Sequence, residues 1–200
     1  MALIPLNLVF EDQISECVMS KIALETNRFR IANTYSEGGF GYIKKNLKGF
    51  NEASRTTPYF LLVDLDRVDC APIMVKEWIN FSKHSNLIFR IAIREIEAWI
   101  LADIEGFSEF LGISKANFHR QPEELKDPKN ELFRIVRRSK KRNIREDILP
   151  KDEFARIGPN YNGRLIQFVN EFWLTKRASE NSPSLMRTVQ ILSDFDFKHY

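Results

Sequence analysis

Two rhythms of apolar and polar positions alternate through the first half of the chain. Leu6-Asn7-Leu8-Val9-Phe10 and Tyr59-Phe60-Leu61-Leu62-Val63 are compact, largely apolar runs of strand length, the pattern of strands covered on both faces. Between and after them the apolar residues recur at helical spacing. Ile14, Cys17, Val18, Ile22 and Ala23 predict an amphipathic helix from Ile14 to Leu24, and further helices are expected from about Phe40 to Ala53 and from Pro72 to about Phe81, where a proline suits the first turn. Phe29 to Thr34 reads as a weaker second strand closed by the turn Ser36-Glu37-Gly38-Gly39, and Asn86 to Ile93 as a fourth strand. Strands alternating with helices predict βαβ units and an α/β fold of Rossmann-like type, with a mainly parallel four-stranded sheet flanked by helices.

Past the fourth strand the pattern turns helical. A long helix is expected from Arg94 to Leu111, carrying Ile96, Trp99, Ile100, Phe107 and Leu111, followed by a polar connection over Asn117 to Lys129. Three more helical stretches, at 129–146, 161–174 and 183–195, are separated by Pro150, Gly158-Pro159 and Asn181-Ser182-Pro183. These signals divide the chain into an α/β domain over 1–111 and a helical extension over 112–200.

Composition narrows the class. Of 200 residues 44% are hydrophobic, with 8 glycines and 8 prolines, enough apolar material for a sizeable core and no sign of disorder or a fibrous repeat. Cys17 and Cys70 are too few and too far apart to staple a secreted fold or to make a zinc site. The opening residues Met1 to Pro5 lack the basic start and long apolar stretch of a signal peptide, and no apolar run approaches the ~18 residues of a membrane span. A soluble, cytoplasmic protein is the expectation. The formal net charge of +3 only weakly favours a polyanionic partner.

The first strand ends in Glu11-Asp12 and the third in Asp64-Leu65-Asp66. Side chains of an extended segment alternate, so Asp64 and Asp66 are expected on one side while Leu65 turns into the core. Parallel strands bring their carboxyl ends to one edge of the sheet, where ligands bind in such folds, so Glu11 is expected to meet the pair there. Three carboxylates at one point suit Mg²⁺ (or Mn²⁺), a hard ion that prefers oxygen and shares its shell with water and phosphate. That chemistry cuts or transfers phosphoryl groups. Asp64 and Asp66 also fit a plain turn or helix cap beyond a strand.

Leu-Val-Phe-Glu at 8–11, a glycine-containing turn before a helix, and Leu-Val-Asp-Leu-Asp at 62–66 resemble a Toprim domain, the fold shared by topoisomerases, bacterial primases and overcoming-lysogenization-defect nucleases. The resemblance implies that Glu11 acts as general acid/base or ligand and that Asp64 and Asp66 hold Mg²⁺. With Phe-Gly-Tyr-Ile-Lys-Lys at 40–45 and Arg-Glu-Ile-Glu-Ala-Trp-Ile-Leu-Ala-Asp at 94–103, the chain is similar to bacterial Toprim-like proteins often encoded beside an ATPase, which implies a partner ATPase and a role in phage defence. One departure is Asp12, where that pattern commonly has glycine.

Other residues extend the candidate site. Arg94 and Glu97 open the helix after the fourth strand, so both are candidates for the active edge, although Glu97 also fits a first-turn dipole complement or an i, i+3 pair with Arg94. Asp103 is a weaker candidate ligand. Trp78 and Trp99 read as core. Gly38-Gly39-Phe40-Gly41 lacks the spacing of a dinucleotide or ATP loop and reads as a turn, while Lys44 and Lys45 behind it suit a nucleic-acid backbone. Arg134 to Arg145 holds seven cations and no acid; on one helix Arg134, Arg138, Lys141 and Arg145 would share a face, a basic ridge for DNA or RNA or simply a solvated surface. Arg164 is a candidate donor to transition-state charge, or a structural arginine. His84, His119 and His199 stand alone and read as surface residues.

These features point to a Mg²⁺-dependent nuclease. Two other readings remain at this level. Asp64-Leu65-Asp66-Arg67-Val68 also resembles the motif of haloacid-dehalogenase-like phosphatases, where Asp64 would be the nucleophile, but that family carries it on its first strand. A regulatory subunit that binds nucleic acid or a partner protein without turnover is the non-catalytic reading.

Overall fold

The computed structural model describes residues 2–36, 38–66, 68 and 70–198. Met1 of the opening segment, Glu37 of the glycine turn, Arg67 of the acidic run and His199 lie outside the described residues. The chain divides into two compact units, Met1–Ile93 with Arg187–Tyr200, and Arg94–Met186. The first unit therefore closes at the end of the fourth strand, short of residue 111, and recovers the last residues of the chain.

In the first unit, strands β1 (Ile4–Val9), β2 (Phe29–Tyr35), β3 (Tyr59–Asp64) and β4 (Leu87–Ala92) alternate with helices α1 (Gln13–Glu25), α2 (Gly39–Ala53) and α3 (Ala71–Trp78). All pairings are parallel and the order is β2-β1-β3-β4. The expected strands are all present, with ends displaced by a residue or two. Helix α3 stops at Trp78, short of Phe81, because Ile79 leaves helical geometry at ψ 75°.

Burial explains the apolar runs. Val9, Leu61, Val63, Leu65, Leu87, Phe89 and Ile91 form one core face with Ile43, Leu47 and Phe50 of α2 and Met74 and Trp78 of α3. The alternate positions Leu6, Leu8, Phe60, Leu62 and Ile88 are buried as well, so strands covered on both faces carry no polar alternation. Phe40 and Phe89 pack on Trp78 with centroids 4.7 and 5.7 Å away. The C-terminal stretch is fastened to this unit: the Arg28 guanidinium donates to the Ser193 carbonyl, Asn86 Nδ2 donates to Lys198 O at 2.9 Å, and Phe195 packs on Phe29 at 5.7 Å.

Two helix starts show how local chemistry sets the loops. Asp12 Oδ1 accepts the Ser15 N–H at 2.8 Å and caps α1, which satisfies an otherwise orphaned donor and favours a carboxylate at the positive end of the helix. Gly38 sits at φ 80° before α2, and a Cβ there would meet Tyr42 Cβ at 3.0 Å. The left-handed conformation favours glycine, and a Cβ would also need Tyr42 to give by a few tenths of an ångström.

The second unit is helical: α4 (Ile96–Ala102), α5 (Ile104–Leu111), α6 (Pro128–Val136), α7 (Arg142–Ile148), α8 (Tyr161–Glu171), α9 (Thr175–Asn181) and the start of α10 (Pro183–Ser193). The single helix expected over 94–111 is broken at Asp103. Its carboxylate caps α5 through Gly106 N at 3.0 Å, accepts Leu174 N–H at 2.8 Å and pairs with Arg177 at 2.9 Å. Every residue of α4 is buried. Trp99 donates to Ser184 Oγ at 2.7 Å, and Trp173 donates to Trp99 O at 3.1 Å. The helix expected over 129–146 is likewise two, and that over 161–174 ends at Glu171. No helix among the described residues is long and apolar enough to cross a membrane.

Candidate active site

In a β2-β1-β3-β4 sheet the chain leaves β1 toward one side and returns on the other, so the carboxyl ends of β1 and β3 flank a topological switch point. Val9 pairs with Leu61 there. Glu11 stands one residue beyond β1, after Phe10, and its Oε1 accepts the Asp64 backbone N–H at 3.1 Å. The two strand ends that the sequence placed far apart are joined at one point.

The ladder continues past Asp64, because Leu65 N–H donates to Ala92 O at 2.9 Å and the Leu65 side chain is 3% exposed. Leu65 turns into the core as the pleat requires. Asp66 departs from the pleat: it lies beyond β3 at φ 50°, a left-handed conformation uncommon for a residue with a Cβ. Its placement is set by a turn, not by strand alternation with Asp64.

Burial pushes the Glu11 carboxyl up from 4.5 to about 7; the Asp64 N–H acts in the opposite direction, and the charges of Asp66 and Asp12 add to the rise. A carboxyl near neutrality takes up or releases a proton readily at working pH. A desolvated carboxylate beside two like charges is also a place that a cation relieves. Among the described residues no three acidic, histidine or cysteine side chains stand together as a ready metal cage, so the expected cage of Glu11, Asp64 and Asp66 is not preassembled. Mg²⁺ commonly takes one or two carboxylates and completes its shell with water and substrate phosphate. Glu11 and the acids after β3 fit that open kind of set.

The family model described as domain of unknown function (DUF4276) matches residues 11–155, well over half of the chain. The chain belongs to the DUF4276 family. Comparison with curated proteins and with solved structures found no match. The DUF4276 match takes in Glu11, Asp64 and Asp66 and continues through α7.

Within the second unit, Arg94 stands at φ 68°. Among the described residues no ion pair joins it to Glu97, contrary to the i, i+3 alternative. Glu97 is 2% exposed, accepts the Tyr161 hydroxyl at 2.7 Å and pairs with Lys129 Nζ at 3.2 Å. Its neighbour Glu95 accepts Lys129 N–H at 3.1 Å, and burial, then the charge of Glu97, raises its pKa. Glu97 is thus a buried, bonded carboxylate, as is Asp103.

The basic run does not form one ridge. Residues 137–141 separate α6 from α7, so Arg134, Arg138, Lys141 and Arg145 do not share a helical face. Most of them satisfy local acceptors. Arg134 binds Glu131 at 2.6 Å and Asn117 O at 2.8 Å, Arg138 reaches Asn117 Oδ1 at 2.6 Å, Lys141 Nζ donates to Phe110 O at 2.7 Å, and Arg145 donates to Ser139 O. Arg164 pairs with Asp147 at 2.7 Å and with Gln167 at 2.8 Å, the structural alternative of its two readings. Carbonyls near helix ends need donors, and these cations supply them.

Lys45 is exposed on α2, and Lys44 lies 5.6 Å over the Trp78 ring. Trp78 and Trp99 are buried as expected. His119 is exposed, whereas His84 is half-buried and its Nδ1 accepts Asn86 N–H at 3.2 Å. Arg90 escaped the sequence reading: an arginine inside an apolar strand gives no local signal beyond its charge.

Proposed function

We propose that this DUF4276 protein is a Mg²⁺-dependent (or Mn²⁺-dependent) Toprim-like nuclease that hydrolyses phosphodiester bonds of DNA or RNA in the cytoplasm. The observation that carries the reading is the Glu11 carboxylate bonded to the Asp64 backbone at the β1/β3 switch point. When bound, Mg²⁺ would supply charge neutralisation at the phosphate. Asp64 and Asp66 would hold it with Glu11 as a third ligand; a Glu11 that stays off the ion, raised to about 7, would instead serve as the general acid/base that exchanges a proton with water. A partner ATPase and a defence role belong to the same proposal through the Toprim resemblance.

Position weighs against phosphatase chemistry of the haloacid-dehalogenase kind, since Asp64 ends β3 and not β1. The non-catalytic alternative, a nucleic-acid or partner-binding subunit, draws on the lack of a preassembled metal cage among the described residues. Plasmid nicking and RNA cleavage with Mg²⁺ or Mn²⁺ separate the two. Cleavage by the native protein that disappears in Asp64→Ala/Asp66→Ala and in Glu11→Gln is expected. Cleavage that persists in both variants, or none in the native protein with either metal and with the neighbouring ATPase added, overturns the nuclease reading.

A further inference from the structure

Arg90 is the one charged residue of β4. Strand register pairs Leu62 with Arg90 and Asp64 with Ala92, and parallel partners point to the same side of a sheet. Arg90 therefore shares a sheet face with Asp64, on the neighbouring strand and one two-residue step back, a diagonal of roughly 8 Å. An arginine side chain can span that step.

Its surroundings are unusual for a cation. Arg90 is half-buried, its Nε donates to Thr188 Oγ1 at 3.0 Å, and Arg187 is the residue next to Thr188 on α10. Among the described residues neither Arg90 nor Arg187 has a carboxylate within ion-pair distance, and neither Nη of Arg90 has a hydrogen-bond partner. Burial, then the like charge of Arg187, lowers the Arg90 pKa. A desolvated guanidinium beside a second one is costly unless an anion offsets both. The bond to Thr188 fixes the plane of the guanidinium through Nε and leaves its two Nη groups as a fork, the geometry that grips phosphate oxygens in pairs.

We propose that Arg90 and Arg187 form a phosphate-binding site on the Asp64 face of the sheet. The assignment of that phosphate to a nucleic-acid substrate rests on the nuclease reading; the anion site does not. Arg90 positions the phosphate group and Arg187, exposed at its rim, adds a second donor.

Titration with inorganic phosphate and with pyrophosphate at constant ionic strength, read by thermal shift and by ³¹P line broadening, tests the site without any turnover. Saturable stabilisation of the native protein is expected. Arg187→Ala should weaken the affinity by about tenfold and Arg90→Gln should abolish saturation, as loss of charge-assisted bonds predicts. If Arg90→Gln fails to fold, the exposed Arg187→Ala variant decides. Protection that is absent, that is equal in the Arg187→Ala variant, or that acetate reproduces overturns the proposal. Phosphate binding that depends on Arg187, in a protein that cleaves nothing, would leave the anion site standing and remove the nuclease. Cleavage with no Arg187-dependent phosphate binding would do the reverse.

Discussion

Replacing Glu11 with glutamine should stabilise the metal-free protein, and the gain should depend on pH. In the unfolded chain this carboxyl ionises near 4.5, in the fold at about 7. Because the folded value is the higher one, the fold holds a proton that the unfolded chain has already lost. Stability tied to Glu11 is therefore intact below pH 4.5, declines as pH rises from 4.5 to 7, and is constant above. The full gap corresponds to about 3 kcal/mol, and solvent at the half-buried carboxyl reduces it to about 2 kcal/mol. Glutamine keeps an oxygen for the Asp64 N–H and removes the charge that Asp66 and Asp12 oppose. For a chain of this size the gain amounts to a rise in Tm of about 4–8 °C near pH 8. It should shrink to about a quarter of that near pH 5. Differential scanning fluorimetry across that range measures it. Adding Mg²⁺ or Mn²⁺ should narrow the difference, since a cation offsets the charge only in the native protein. A variant that is less stable near pH 8, or equally more stable at both pH values, would refute the argument that the carboxyl is strained by burial and like charge.

Three further substitutions test the frame. Asp12→Ala removes the α1 cap at Ser15 N and should cost about 1 kcal/mol in urea denaturation, with Asp12→Asn or Asp12→Ser recovering most of it. Asp103→Ala leaves Arg177, Gly106 N–H and Leu174 N–H without their shared acceptor and should cost about 3–5 kcal/mol, read as a large fall in the urea midpoint. Tyr161→Phe deletes the hydroxyl that Glu97 accepts and should cost about 1.5–3 kcal/mol; a neutral result would show that Lys129 alone satisfies this carboxylate.

Strand positions, their order along the chain and the acids at two strand ends were all present in the sequence. Apolar runs such as 59–63 are long enough and pure enough that only burial on both faces accounts for them, and Gly38, Pro72 and Asp12 punctuate helices by local rules that need no distant partner. The period-two placement of Leu65 in the core followed from the pleat alone. Local pattern could not foresee where a helix breaks for a distant reason. Asp103 looks like one more polar residue on a helix until Arg177 and Leu174, more than seventy positions later, reward its buried carboxylate for ending α4 and capping α5.

The basic run shows the same limit, since Arg134, Arg138, Lys141 and Arg145 are engaged by Asn117, Phe110 and Ser139, acceptors that helical periodicity does not mention. At the candidate site the sequence determined which residues end β1 and β3. Tertiary structure decided that β3 lies beside β1, that Asp66 turns out of the pleat at φ 50°, and that Glu11 is desolvated enough to titrate near neutrality. It also decided that Arg90 stands on the Asp64 face. The reason is range. Propensity, capping and side-chain alternation act over a few residues, whereas strand order, desolvation and charge pairing depend on which remote segments the whole core brings together.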